Sequence, residues 1–220
     1  ICHVFRNAEG SSQHTPEFSM IEWYQAGMDY KSLMRECVDM MLAVTDKPFC
    51  GLGKTSDPHE EWEIISVVEA FKKYAGMDFE KHLEDEDFFF KVMGEVIEPQ
   101  LGSPVPTIVY DYPVKMAALS RVRKSDPRFA ERFEIYVCGV ELANAFGELT
   151  DAKEQRKRYE EAMKIQREAY GFHYPIEEDF LRALEHGMPE ASGIALGIDR
   201  LVMLATGASD ISLVQAADII

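Results

Sequence analysis

The chain contains no run of about 18 uncharged apolar residues, so no segment is expected to cross a membrane as a helix. It has no C-x-x-C pair. Its four cysteines, Cys2, Cys37, Cys50 and Cys138, stand apart without histidines at zinc-finger spacing, which argues against a structural zinc site. Two of them sit in apolar runs, and reduced thiols in a cytoplasmic protein are the expectation. Basic residues are scarce: Lys and Arg number 23 against 39 Asp and Glu, a net charge of −16. That disfavours unspecific contact with a phosphate backbone and leaves a small basic substrate open. No Walker motif is present, no βαβ unit surrounds a glycine motif, and no internal repeat, long linker or signal peptide is visible. The opening ICHVFRN reads as the inside of a strand rather than as a natural N-terminus, so further chain is expected upstream.

What is present suffices for a packed core, since 46% of the 220 residues are hydrophobic. The first 25 residues alternate apolar and polar on either side of NAEGSSQHTP, which predicts two strands joined by a loop. Tyr30, Leu33, Met34, Cys37, Met41 and Val44 have helical spacing within 29–46. Residues 60–75 and 86–97 are expected as two more helices, separated by Gly76 and the acidic stretch EKHLEDED. TIVYDY reads as a short strand after a proline-rich break. RFEIYVCGVELANAF predicts a hairpin turning at Cys138-Gly139. A charged helix is expected from Thr150–Asp151 to about Tyr170 and another over 176–186. SGIALGIDRLVMLATG reads as a strand running into a helix. Irregular alternation disfavours a doubly wound parallel sheet, so the expectation is one α+β domain over 1–220, an antiparallel sheet flanked by helices.

The anomaly is carboxylates inside strand-like apolar runs: Glu22 in SMIEWY, Glu134 in RFEIYV, Glu141 in GVELANAF, and Glu148 at the end of that run. A single one is ordinarily the solvent-facing residue of a one-sided strand. Four in one small sheet, with Tyr24 and Asn144 beside them, repel one another unless a cation holds them. Mg²⁺ prefers such oxygen ligands, and a substrate ammonium would serve equally. The counterpart is Arg6 after one strand and Arg200 at the head of a helix, following Gly193-x-Ala195-x-Gly197. Arginine grips phosphate with a planar fork, although glycines at that spacing also suit plain strand–helix packing. His14 could donate to a phosphate or be a solvated loop residue. Phe18 could stack on a base or belong to the core. The combination predicts a site for ATP–Mg²⁺ and a cationic substrate.

FRNAEGSSQHTPEFSMIEWY resembles the second signature motif of class II aminoacyl-tRNA synthetases of the lysyl/aspartyl branch, and GIALGIDRLVML resembles the third. RFEIYVCGVELANAFGELTD is similar to the stretch between them in lysyl-tRNA synthetases. Within that group the wording is most similar to the lysyl-tRNA synthetase paralogues that attach lysine, preferably β-lysine, to elongation factor P, with Ala195 where a lysyl-tRNA synthetase has glycine. The resemblance implies an AMP-forming ligase with a class II catalytic core. Carried over by position, it implies that Arg6 holds the α-phosphate and substrate carboxylate and that Phe18 stacks on adenine. His14 and Arg200 would face the β- and γ-phosphates, and Glu134 and Glu141 would hold Mg²⁺. Asn144 would bind the substrate carboxylate beside Ala195, and Glu22, Tyr24 and Glu148 would receive the side-chain ammonium. Near the adenine, Ala8 stands where the family has glutamate, with Glu9 next to it, and Thr15 replaces an asparagine. The resemblance further implies a homodimer, with elongation factor P rather than tRNA as acceptor and no membrane partner. The other readings are a tRNA-charging lysyl-tRNA synthetase domain and a non-catalytic binding module.

Overall fold

Cys138 and Gly139 both take positive φ, 56° and 80°, the backbone of a two-residue turn whose twist matches that of the strands it joins. They close the hairpin of strands β7 (Phe129–Val137) and β8 (Val140–Gly147), as the sequence predicts. In a computed structural model that describes residues 1–7, 10–117, 119–172 and 174–215, this hairpin lies inside a seven-stranded sheet.

The other strands of that sheet are β1 (Cys2–Phe5), β2 (Glu17–Ala26), β5 (Glu63–Ser66), β6 (Thr107–Pro113) and β9 (Ala191–Gly197). The spatial order is β1-β2-β9-β8-β7-β6-β5. A separate two-stranded ribbon, β3 (Phe49–Gly51) with β4 (Lys54–Ser56), was not expected. Every neighbouring pair in the large sheet is antiparallel except β5 and β6, which run parallel. The expected antiparallel sheet is therefore mixed at one edge. The reason lies in the helix expected over 60–75, which starts late. Glu63–Ser66 is strand, and Ser66 caps helix α2 (Val67–Ala70) through a reciprocal pair with Glu69. A wider-wound turn, Phe71–Ala75, continues it.

Helix α1 (Tyr30–Val44) buries Tyr30, Leu33, Met34, Cys37 and Met41, the stripe read from sequence apart from Val44, which is exposed. These side chains pack with Phe133, Ile135, Ala143, Ala145, Ile194 and Leu196 on one face of the sheet. Helix α6 (Ile198–Thr206) adds Leu201, Met203 and Leu204 to the same core. On the opposite face, beside β5 and β6, helix α3 (Glu86–Val92) contributes Phe89 and Val92 to a second core built around Phe71, Phe79, Tyr112 and Tyr136. Helices α4 (Ala152–Tyr170) and α5 (Glu178–His186) form an excursion between β8 and β9. All four cysteines are free thiols, with Cys37 and Cys138 buried. Among the described residues no helix is long and apolar enough to cross a membrane.

Candidate active site

Side chains of successive strand residues point to opposite faces, and cross-strand register then lines up residues across a sheet. Glu22 of β2 lies opposite Ala195 of β9, Ala195 opposite Asn144 of β8, and Asn144 opposite Glu134 of β7. The next row reads Tyr24, Gly193, Phe146 and Arg132. Both rows face away from the α1 core, because the residues between them (Ile194, Ala145, Phe133) belong to it.

Glu141 joins this face through an irregularity. Ile135 pairs with Ala143, but the next residue, Tyr136, pairs with Glu141, leaving Leu142 as one extra residue in β8. Three positions apart in a regular strand, Glu141 and Asn144 would point to opposite sides; the bulge turns Glu141 to the side of Asn144 and Glu134.

A cavity of about 260 Å³ opens over these rows. Arg6, His14, Phe18 and Arg200 line it together with Glu22, Glu141, Asn144 and Ala195. Tyr24, Glu134 and Glu148 stand outside this lining. Glu9 and Ala8, singled out near the adenine, lie outside the described residues. Thr15 also lines the cavity, and its hydroxyl donates to the Glu17 carbonyl at 2.7 Å.

The cationic end is built by the loop between β1 and β2 and by the head of α6. Arg200 donates to the Glu141 carbonyl at 2.6 Å and to the Gln13 carbonyl at 3.4 Å, and its Nη2 lies 2.6 Å from His14 Nε2. Arginine carries donors alone, so His14 Nε2 is the acceptor and its proton sits on Nδ1, 2.8 Å from Ser11 Oγ. His14 therefore orients Arg200. The Arg6 guanidinium lies 5.2 Å from the Phe18 ring centre. Asp199 ties the two motif segments together by accepting from the Ser19 amide at 2.6 Å.

The anionic end gathers Glu22, Tyr24 and Glu148. Burial, then Glu148 and Glu22, push the Tyr24 phenol up. Burial pushes the Glu148 carboxyl up to about 7 against the opposing field of Arg121. Gly193 lies between these side chains: a Cβ there would collide with Glu148 Oε1 and stand 2.6 Å from Tyr24 Cδ1.

Glu134 differs from the simple expectation of an open cation ligand. It is 6% exposed and accepts from the Tyr112 and Tyr136 hydroxyls at 2.6 Å each and from Arg132. Its carboxylate sits behind the cavity wall. Glu141, at the wall, is pushed up to about 7 by burial and by neighbouring Glu134, with Arg200 and Arg132 opposing. Glu98 is raised for the same two reasons. Crowded oxygen donors of this kind suit a hard cation. Among the described residues no group of three or more His, Cys, Asp or Glu side chains is placed to hold a metal, so protein carboxylates would fill only part of a cation's coordination shell.

Sequence reasoning passed over Arg132 and Glu98. Arg132 carried a signal, since R-F-E puts it two residues from Glu134 and hence on the same face. Glu98, in a short 3₁₀ turn (Glu98–Gln100), carried none.

Residues 1–216 match the family model described as tRNA synthetases class II (D, K and N). A protein of Avibacterium paragallinarum named elongation factor P--(R)-beta-lysine ligase is 40% identical over 239 residues, covering 100% of this chain and 70% of that protein. Proteins of the same name from Edwardsiella ictaluri and Pectobacterium carotovorum are each 38% identical, over 98% and 96% of this chain and 69% and 68% of their own lengths.

Proposed function

Because the chain belongs to the class II tRNA synthetase family of the D, K and N type, we propose that it activates β-lysine or lysine with ATP and passes the acyl group to a lysine side chain of elongation factor P. The observation that carries this reading is the placing of opposite charges on one sheet face. Arg6, Arg200, Glu22 and Asn144 line the cavity, and Tyr24 and Glu148 meet at Gly193, one row along the strands from Glu22 and Asn144. A substrate with a carboxylate at one end and an ammonium at the other fits that polarity. The names of the relatives supply the acceptor.

In the first step a carboxylate oxygen of the amino acid attacks the α-phosphorus of ATP, the new O–P bond forms, and pyrophosphate departs. Arg6 holds the reacting anions side by side while Phe18 offers its ring to the base. Arg200, oriented by His14 and by the Glu141 carbonyl, meets the charge that collects on the departing phosphates. Positioning and fixed charge suffice for this step, and no protein nucleophile is needed. Glu148 and Tyr24 hold the side-chain ammonium, and Asn144 holds the carboxylate. Glu141, with Glu134 behind it, would hold Mg²⁺, which neutralises phosphate charge when bound. In the second step the acceptor amine attacks the acyl carbon, an amide bond forms, AMP leaves, and the amine loses a proton to solvent.

The test is β-lysine- and lysine-dependent exchange of pyrophosphate into ATP, followed by acyl transfer to elongation factor P and to tRNA. Exchange with transfer to the protein acceptor is the expected result. Exchange followed by transfer to tRNA alone would make the chain a tRNA-charging domain. Absence of exchange with both amino acids would overturn the enzyme reading in favour of a binding module. Association into a homodimer, checked by light scattering, and a cytoplasmic location belong to the same proposal.

A further inference from the structure

Arg132 has no part in the scheme above, yet it donates to both Asn144 and Glu134. Its guanidinium centre lies 4.5 Å from the Tyr112 ring and 5.8 Å from the Phe146 ring. Nη1 donates to the Met116 carbonyl and Nη2 to Glu134. Held on these sides, the group aims Nε at Asn144 Oδ1, 3.2 Å away.

That contact decides which way the amide faces. An asparagine side chain presents a carbonyl oxygen on one side and an NH₂ group on the other, and exchanging them changes its shape hardly at all. Arginine has N–H groups and no acceptor, so the atom of Asn144 facing it must be the oxygen. The NH₂ donors are left for the cavity that Asn144 lines. Turned over, the amide would put an oxygen lone pair against a substrate carboxylate and lose two donors.

We propose that Arg132 is a positioning residue that locks the Asn144 amide with its N–H pair toward the substrate carboxylate. The proposal rests on the reading of this cavity as an amino-acid site. Arg132 acts through Asn144, so removing it weakens recognition of the carboxylate and leaves the Glu148–Tyr24 end as it was.

A double-mutant cycle separates this role from general support of the fold. β-Lysine binding is measured by calorimetry in the presence of a non-hydrolysable ATP analogue, for the wild type, Arg132→Met, Asn144→Ala and the pair. Arg132→Met is expected to weaken β-lysine about tenfold, the scale of a hydrogen bond to a charged group, and to weaken it no further once Asn144 is alanine. Equal losses in both backgrounds, or no loss in either, would overturn the proposal. Removing Arg132 takes the cation away from the buried Glu134 side chain, so the cycle is repeated with Arg132→Lys, which keeps a cation there and lacks the guanidinium Nε that faces Asn144, and the same pattern is expected. Wild-type protein that binds the ATP analogue but neither lysine nor β-lysine would overturn the amino-acid reading itself. That result is distinguishable from a failed cycle, in which the wild type binds normally.

Discussion

Tyr24 and Gly193 are direct cross-strand partners, and the ring of Tyr24 occupies the space that a side chain on Gly193 would need. The same space is shared by the Glu148 carboxylate, so a missing methyl group on one strand lets two side chains from its two neighbours meet.

Gly193→Ala should therefore damage the ammonium pocket with little effect elsewhere. Its backbone is extended, which alanine tolerates, and the atoms in the way are a Glu148 carboxylate oxygen and the edge of the Tyr24 ring. We expect the KM for the amino acid to rise about tenfold or more, the equivalent of ~1–3 kcal/mol of overpacking, with the KM for ATP within about twofold. Equal rises in both KM values would show that the residue shapes the whole site.

Glu148 sets a pH dependence. Its ionised form is the one that receives an ammonium, and its carboxyl in the folded protein titrates at about 7. Amino-acid affinity should rise as pH climbs from 6 toward 7, by up to about tenfold per unit, and level off above 8. Glu148→Gln should weaken binding and flatten this slope. Stability moves the other way. The folded carboxyl keeps a proton that the unfolded chain releases near 4.5, so the wild type loses stability between those values as pH rises. Melting curves should find Glu148→Gln more stable than the wild type at pH 8, and indistinguishable or weaker at pH 4.5.

Arg200→Ala removes the group that joins the loop carbonyl of Gln13, the His14 ring and the Glu141 carbonyl. Pyrophosphate exchange should fall roughly 10²–10³-fold, as when one preorganised donor to a reacting anion is lost. His14→Ala, which removes the orienting ring and leaves the arginine, should cost less. A larger loss for His14→Ala would show that the histidine contacts the nucleotide directly.

Two thiols should react quickly with a disulfide reagent at pH 7.5, and four after denaturation. Cys2 and Cys50 are exposed, whereas Cys37 and Cys138 are buried and pushed up by burial to about 12 and about 11. Thiolate is the reactive form, so both burial and protonation protect that pair. Three or more fast thiols in the native protein would contradict this packing.

Much of the sheet could be read from the chain because its signals are local. Alternation marks β1, β2, β7 and β8, and glycine marks the strand-to-helix joint after Ala195. The strand β5 was merged with the helix that follows because the two adjoin without a break, although Ser66 and Glu69 mark the true helix start, and its parallel partner is set by long-range pairing that no local pattern encodes. The charged site residues stood out because carboxylates in apolar runs are costly without a partner. The bulge at Leu142 did not, since an extra strand residue becomes visible once the opposing strand is known. Nor could the sequence place Glu134 behind two tyrosine hydroxyls rather than in the open cavity.

The row Glu22, Ala195, Asn144, Glu134 has one residue per strand. Neighbouring strands stand about 4.8 Å apart, so its ends are separated by roughly 14 Å, a length fixed by backbone hydrogen bonds. The site thus carries a ruler made of main chain. No rotamer change can stretch it, and a substrate one methylene longer or shorter must be fitted by changing what fills the gaps between the graduations. Exchange of side-chain volume at Ala195 and Gly193, which stand between β2 and β8 in the two rows, is accordingly one route by which such a sheet could alter the length of amino acid it accepts.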